Sequence, residues 1–205
     1  QPGLIKSILN YENVGQFGEF STEFALTNGN LDGGLVVLKN IYVPYRGKTS
    51  EIDLLMIHEK GIFVFESKNY SGWIFGSTDQ LNWTQSLQNG EKHRFYNPIM
   101  QNKGHLDRLY QILRPVRLLG GPPPYYSYIV FSNRCILKNV PQRCGNHHIL
   151  YLEELLFAVQ ENAMQSVIRL TAADIETLYK QLEPYACVSD AVKQAHIENI
   201  RLKYR

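Results

Sequence analysis

The order of apolar segments predicts a mixed α/β fold, a central sheet with helices on both faces. Two observations carry this prediction. Runs at 35–44, 51–58 and 62–70 are rich in β-branched and aromatic residues, have strand length and are bounded by turn residues. Segments at 97–113, 153–162, 171–183 and 189–203 instead repeat apolar residues at helical intervals. With 205 residues, 44% of them hydrophobic, the chain can bury one well-formed core.

Along the chain, residues 4–28 read as a helix with a possible break near Gly15, and Phe17, Phe20, Phe24 and Leu26 form its expected apolar face. "NGNLDGG" ends it with turn residues. "LVVLKNIYVP" is a strand that stops at Pro44, as an edge or a terminated strand would. "YRGKTS" is a hairpin loop into the strand "EIDLLMIH", and "EKG" turns the chain into "IFVFESKNY", with Gly61 suited to positive φ. "WIFGS" is a short fourth strand, followed by a polar loop. The helix at 97–113 has Asn97 as N-cap and Pro98 in its first turn. "GGPPP" breaks the chain before a strand at 125–133 and a shorter one at 147–152. Three amphipathic helices complete it, the second capped by Thr171 with Asp174 three residues on. The expected division is a main domain over 1–164 and a helical extension over 165–205.

Composition narrows the function classes. The formal net charge is +2, so a bulk polycation that coats nucleic acid is excluded, although a local basic groove is not. The three cysteines have no CxxC spacing, which argues against a disulfide scaffold or a zinc–cysteine site. Free thiols point to a reducing, cytoplasmic setting. No run of about 18 apolar residues occurs, so no membrane span is expected. The first residue is Gln1, so the chain is expected to be an excised or processed piece, which leaves room for a removed N-terminal anchor or signal.

Charged residues interrupt the most hydrophobic part of the chain: Asp53 in one strand, Glu66 and Lys68 in the next. Burying an unpaired charge costs several kcal/mol. Strand alternation puts Glu66 and Lys68 on one face with Ser67 opposite, and a short hairpin brings Asp53, 13 positions earlier, alongside them. Two close carboxylates repel, a conflict that a hard cation such as Mg²⁺ resolves. The Ser67 backbone carbonyl is a further candidate ligand, and Lys68 at the rim could act on an attacking water or on phosphoryl charge. The pattern suits metal-assisted phosphodiester hydrolysis. The plainer reading is an ion pair at a fraying strand end.

The residues "GEF" (18–20), "VVLKNIYVP", "KTSEIDLLMIHEKGIFVFESKNYSGWIFGS" and "FYNPIMQNKGHLDRL" together resemble the nuclease-related domain (NERD) family of the PD-(D/E)xK nuclease superfamily, over about residues 15–115. The resemblance implies a restriction-endonuclease-like αβββαβ core with Mg²⁺ or Mn²⁺ at Asp53 and Glu66, and Lys68 beside it. It adds Glu19 from the first helix and Gln101 from the later helix as site members, DNA as the substrate and no small-molecule cofactor. Ser67 stands where the family more often has an aliphatic residue.

Three further groups carry readings of their own. His105 lies one helical turn after Gln101 and reads either as a contact to DNA phosphate or to the scissile region, or as ordinary polar helix surface. His147 and His148 are adjacent, so they point to opposite faces of a strand and do not share a metal. Tyr70, Trp73, Trp83 and Tyr96, near Lys92, His93 and Arg94, can stack on bases and steady phosphates, or simply pack. Arg114, Arg117, Lys138 and Arg143 are candidates for added positive surface near the cleft. Two function classes therefore compete: a metal-dependent DNA nuclease, and a nucleic-acid-binding module on a nuclease fold that cleaves slowly or not at all.

Overall fold

The computed structural model describes residues 11–203, and the side chains of residues 15–199. Helix α1 (Tyr11–Asn28) runs unbroken through Gly15, and the earlier part of the expected helix lies outside the described residues. Strands β1 (Leu35–Tyr45), β2 (Lys48–His58) and β3 (Gly61–Lys68) then form an antiparallel meander. The β1–β2 turn is only Arg46–Gly47, with φ of 47° and 75°, a pairing whose twist suits a two-residue hairpin. Pro44 stays inside β1, which is the edge of its sheet, where a missing N–H costs no ladder bond. Gly61 has φ 143°, and a Cβ there would lie 2.7 Å from the Pro124 carbonyl oxygen, so both backbone and neighbour require glycine.

The segment expected to be one short strand and a polar loop is instead three strands, β4 (Gly72–Phe75), β5 (Asn82–Ser86) and β6 (Lys92–Tyr96). Helix α2 (Pro98–Leu113) follows, with Asn97 Oδ1 accepting the Ile99 N–H at 2.9 Å. Next come β7 (Tyr125–Phe131), β8 (Cys135–Lys138), β9 (Arg143–Cys144) and β10 (His147–Tyr151). A 3₁₀ turn leads into α3 (Leu155–Gln165), then α4 (Ala172–Ala186) and α5 (Asp190–Lys203). Thr171 and Asp174 form the expected capping box, and Asp174 also accepts the N–H groups of Leu119 and Gly120 at 2.6 and 3.1 Å.

The main sheet has the order β1-β2-β3-β7-β10-β9, mixed, with β7 parallel to both β3 and β10. The elements α1, β1–β3, α2 and β7 give the αβββαβ order of the restriction-endonuclease-like fold. On one face, Leu106, Leu109 and Leu113 of α2 and Leu178 and Leu182 of α4 pack on Ile41, Ile52, Leu55 and Val64. On the other, Leu26 of α1 and Leu155 and Val159 of α3 pack on Met56, Phe63, Phe65 and Tyr128. Burial of these side chains supplies about 1.5–3 kcal/mol each. A second sheet, β6-β5-β4-β8, lies beside the first and buries Ile74, Trp83 and Cys135 against Ile129 and Phe131.

Of the apolar face expected of α1, Leu26 is buried and the three phenylalanines are not. Thr22 and Leu26 are 1% exposed, whereas Phe17, Phe20 and Phe24 are more than half exposed. Gly18, Thr22 and Leu26 recur every four residues, and a Cβ on Gly18 would come within 2.9 Å of Asn69 Cβ. Close approach of backbone to backbone decided the face, rather than the larger apolar stripe on the other side.

Candidate functional site

Strand β3 changes character along its length. Its residues up to Glu66 are buried, and Ser67 and Lys68 emerge at the end beyond which the chain reaches Asn69. The last backbone pair between β2 and β3 is Leu54–Phe65. One residue beyond it, Asp53 Oδ2 accepts the Ser67 N–H at 2.8 Å, so a carboxylate replaces the ladder where the strands part. The facing pattern also changes phase here. Leu55 and Ile52 both belong to the α2-side core although they are three positions apart, an odd offset, and Leu38 and Ile41 of β1 do likewise around Asn40, whose φ is 51°. That slip lets two apolar positions stay inside while Asp53 turns to the end of β3.

Glu66 is 1% exposed and points to the α2 side. Lys68 Nζ donates to Glu66 Oε1 at 2.5 Å and to Gln101 Oε1 of α2 at 3.3 Å. Glu19 of α1, half-buried, faces the same cleft, held there by the approach of Gly18 to Asn69 and by Thr22, whose Oγ1 lies 3.0 Å from Ser67 Oγ. Glu19, Asp53, Glu66, Lys68 and Gln101, five residues from four elements, thus line one open cleft of ≈ 740 Å³. Ser67 lies among them, its side chain turned to the α1 face, as alternation requires.

The electrostatics are those of crowded carboxylates. Burial, and then the charge of Glu66, push the Asp53 carboxyl well above the usual range, with Lys68 and the Ser67 N–H opposing. Burial, Glu51 and Glu66 push Glu19 up as well. Burial works against the Lys68 ammonium, but Glu66, Tyr70 and Asp53 outweigh it and raise its pKa. Glu66 Oε2 is buried and has no hydrogen-bond partner among the described residues. Such an oxygen, beside a second carboxylate that resists ionising, is the environment a hard divalent cation satisfies. Among the described residues no group of three or more His, Cys, Asp and Glu side chains is placed to hold a metal, which disfavours a closed zinc-type cage. Mg²⁺ instead takes one or two carboxylates and completes its shell with water and carbonyl oxygens, and the residues present fit that requirement.

His105 is not outer helix surface: it is 1% exposed and lines the inner wall of the cleft beside Glu66. Its Nδ1 lies 3.2 Å from Asn102 Oδ1 and 3.6 Å from Glu66 Oε2. Asn102 Nδ2 donates to Ser127 Oγ at 2.7 Å and to the Val64 carbonyl at 3.3 Å, so its Oδ1 is free to accept and the His105 proton sits on Nδ1. Burial lowers the His105 pKa to about 4, against the pull of Glu66 and with Arg108 and Lys68 assisting. His147 Nδ1 reaches the same Ser127 Oγ at 2.7 Å, while His148 turns to the other face and stacks on Tyr128.

Sequence reasoning missed the Asn102–Ser127–His147 network and Arg108. Arg108 is seven residues after Gln101, hence on the same helix face, which was the available signal. It lines the cleft, and its guanidinium sits 3.7 Å from the Tyr45 ring centroid. The cleft also has a wall from α5: His196 Nδ1 lies 3.0 Å from Thr49 Oγ1, and Asn199 stands beside it. Of the aromatic candidates, Trp83 is wholly buried, with its indole N–H bound to the Ser77 carbonyl at 2.9 Å, while Tyr96 lines the cleft. Arg114 and Arg117 lie at or beyond the far end of α2, Arg114 about 20 Å along the helix from Gln101, and add no charge to the site.

The sequence profile described as the nuclease-related domain, NERD, matches residues 14–132, from α1 through β7. An uncharacterized protein of Bacillus anthracis is 29% identical over 170 residues, 82% of this chain and 75% of that protein. No solved structure gives a significant match.

Proposed function

The chain belongs to the NERD family, and on that premise we propose that it is a divalent-metal-dependent nuclease that hydrolyses DNA phosphodiester bonds. The observation that supports this most is the convergence of Asp53, Glu66 and Lys68, from two strands, with Glu19 and Gln101, from two helices, in one cleft. Asp53, Glu66 and the Ser67 backbone carbonyl would hold Mg²⁺ or Mn²⁺. The ion would supply Lewis-acid stabilisation of charge at the scissile phosphate and make an attacking water more acidic. Lys68, held between Glu66 and Gln101, orients that water and balances negative charge as it grows. Gln101 fixes the ammonium, and Glu19 adds a further acceptor at the rim. Arg108 offers a cation to the DNA backbone from the same helix face.

A second reading has its own observation. The Lys68–Glu66 ion pair could be structural, leaving a module that binds nucleic acid without cutting it. Incubation of supercoiled, linear and single-stranded DNA with Mg²⁺, Mn²⁺ or EDTA separates the two. Cleavage by the wild type with metal, lost in EDTA and in Glu66→Ala, is the expected result. Binding to all three DNAs with no cleavage in any metal would support the module instead.

A further inference from the structure

The outer face of the second sheet has no partner among the described residues and an unusual composition. Its inner face alternates Ile74, Trp83, Phe95 and Leu137 into the core. The pairing register sets the outer residues in two rows across all four strands. One row is Ile136, Trp73, Ser86 and Lys92. The other is Lys138, Phe75, Thr84 and Arg94. None of these eight positions is acidic, and three are cationic. Trp73 is 51% exposed and Phe75 36%, both in the middle of the sheet, with cations on both edge strands.

We propose that this face is a binding platform for single-stranded nucleic acid, outside the cleft and adjoining it. An exposed aromatic pair flanked by Lys and Arg matches what an unpaired strand presents, π-faces for stacking with a phosphate every nucleotide. A duplex hides its base faces and cannot use Trp73. The Lys138 ammonium already sits 5.6 Å from the centre of the Trp73 ring, where it can meet a phosphate beside a stacked base. Next to Trp73, Gln88, Asn89 and Arg134 line a concavity, with one arm of the Arg134 guanidinium holding Asn69. The platform continues into the cleft through Tyr96, the last residue of β6, which lines it. A protein partner with an acidic apolar surface is the competing occupant, and an absence of single-strand binding would favour it.

The test is binding in EDTA, so its outcome does not depend on whether the cleft hydrolyses anything. Labelled oligothymidylate and oligouridylate of about 20 nucleotides, and a duplex of equal length, are titrated by fluorescence anisotropy. Trp73→Ala should weaken single-strand binding by about 5- to 100-fold and leave duplex binding unchanged. Trp73→Phe should retain most of it. Ser86→Glu, which removes no packing, should also weaken it, and Lys92→Ala and Lys138→Ala should each lower the salt slope by about 0.7. Comparable losses with both oligonucleotides mean that the sugar is not read, and a loss with one alone identifies it as the ligand. Of the two tryptophans, Trp83 is buried and Trp73 exposed, so oligothymidylate should quench the wild type but not Trp73→Phe. Wild-type affinity in Trp73→Ala and Ser86→Glu, with no quenching, would overturn the proposal.

Discussion

Acidification in EDTA tests the environment behind Glu66 quantitatively. His105 is buried, its Nδ1–H faces Asn102, and its folded pKa is lowered to about 4. An unfolded histidine titrates near 6.5, so the unfolded chain takes up this proton first as the pH falls. Stability linked to the neutral ring is therefore complete above about pH 6.5, declines between about 6.5 and 4, and is fully lost below. Between pH 7.5 and 4.5 the loss from this one group is about 2.5 kcal/mol, or about 5–10 °C in Tm for a chain of this size. His147 and His148 are also lowered, first by burial, and add to the loss, whereas the raised carboxyls of Asp53 and Glu19 bind protons more readily in the folded chain and oppose it. His105→Gln isolates the term. Urea melts of both proteins at the two pH values should show the variant losing about 2.5 kcal/mol less than the wild type. An equal loss in both would mean that His105 is not held neutral, and the tautomer and burial argument would fail.

Other perturbations separate the site from its scaffold. Asp53→Asn removes a carboxyl that the folded state resists ionising, so in EDTA the variant should melt at or above the wild-type temperature, and added Mg²⁺ should raise the melting point of the wild type alone. A clear loss of stability in EDTA would instead support the structural ion-pair reading. Arg108→Ala should weaken duplex DNA binding at low salt and reduce the salt slope by about one, read by anisotropy. An unchanged slope would place the guanidinium off the DNA path, on Tyr45 and Ser50. Asp174→Ala leaves the N–H groups of Leu119, Gly120 and Thr171 without their acceptor, so urea melts should show a loss of about 2–4 kcal/mol with DNA cleavage by the folded fraction unchanged.

The charged triplet was legible because charge inside a hydrophobic hairpin is rare, and period-two alternation placed Glu66 and Lys68 on one side without any tertiary information. The phase slip at Asn40 and Asp53 was not legible, since it depends on which apolar residues α2 and α4 finally cover. Strands β5 and β6 were hidden because each turns few apolar side chains inward, Trp83 and Phe95, and the outer face is polar. A five-residue strand of that kind gives almost no periodic signal, and the last strand of that sheet, β8, pairs with β4 across about 60 residues of chain. Helix α1 misled for the opposite reason. Its phenylalanines form the stronger stripe, yet Gly18 and Thr22 make the closer contact. The burial of His105 was not legible because the groups around it, Asn102, Ser127 and Glu66, come from three separate elements.

The proposed chemistry rests on Lys68 acting on the reaction rather than merely neutralising Glu66. Single-turnover cleavage of duplex DNA in Mg²⁺, paired with Kd measured in EDTA, distinguishes these roles for wild type, Lys68→Ala and Lys68→Arg. Removing one preorganised electrostatic partner should slow cleavage by about 10²–10³ while leaving DNA affinity nearly unchanged. Arginine keeps the charge, but its planar fork does not fit between Glu66 and Gln101 as a compact ammonium does, so it should not restore the rate. Cleavage by both variants at the wild-type rate would contradict the mechanism and leave Lys68 as a structural cation.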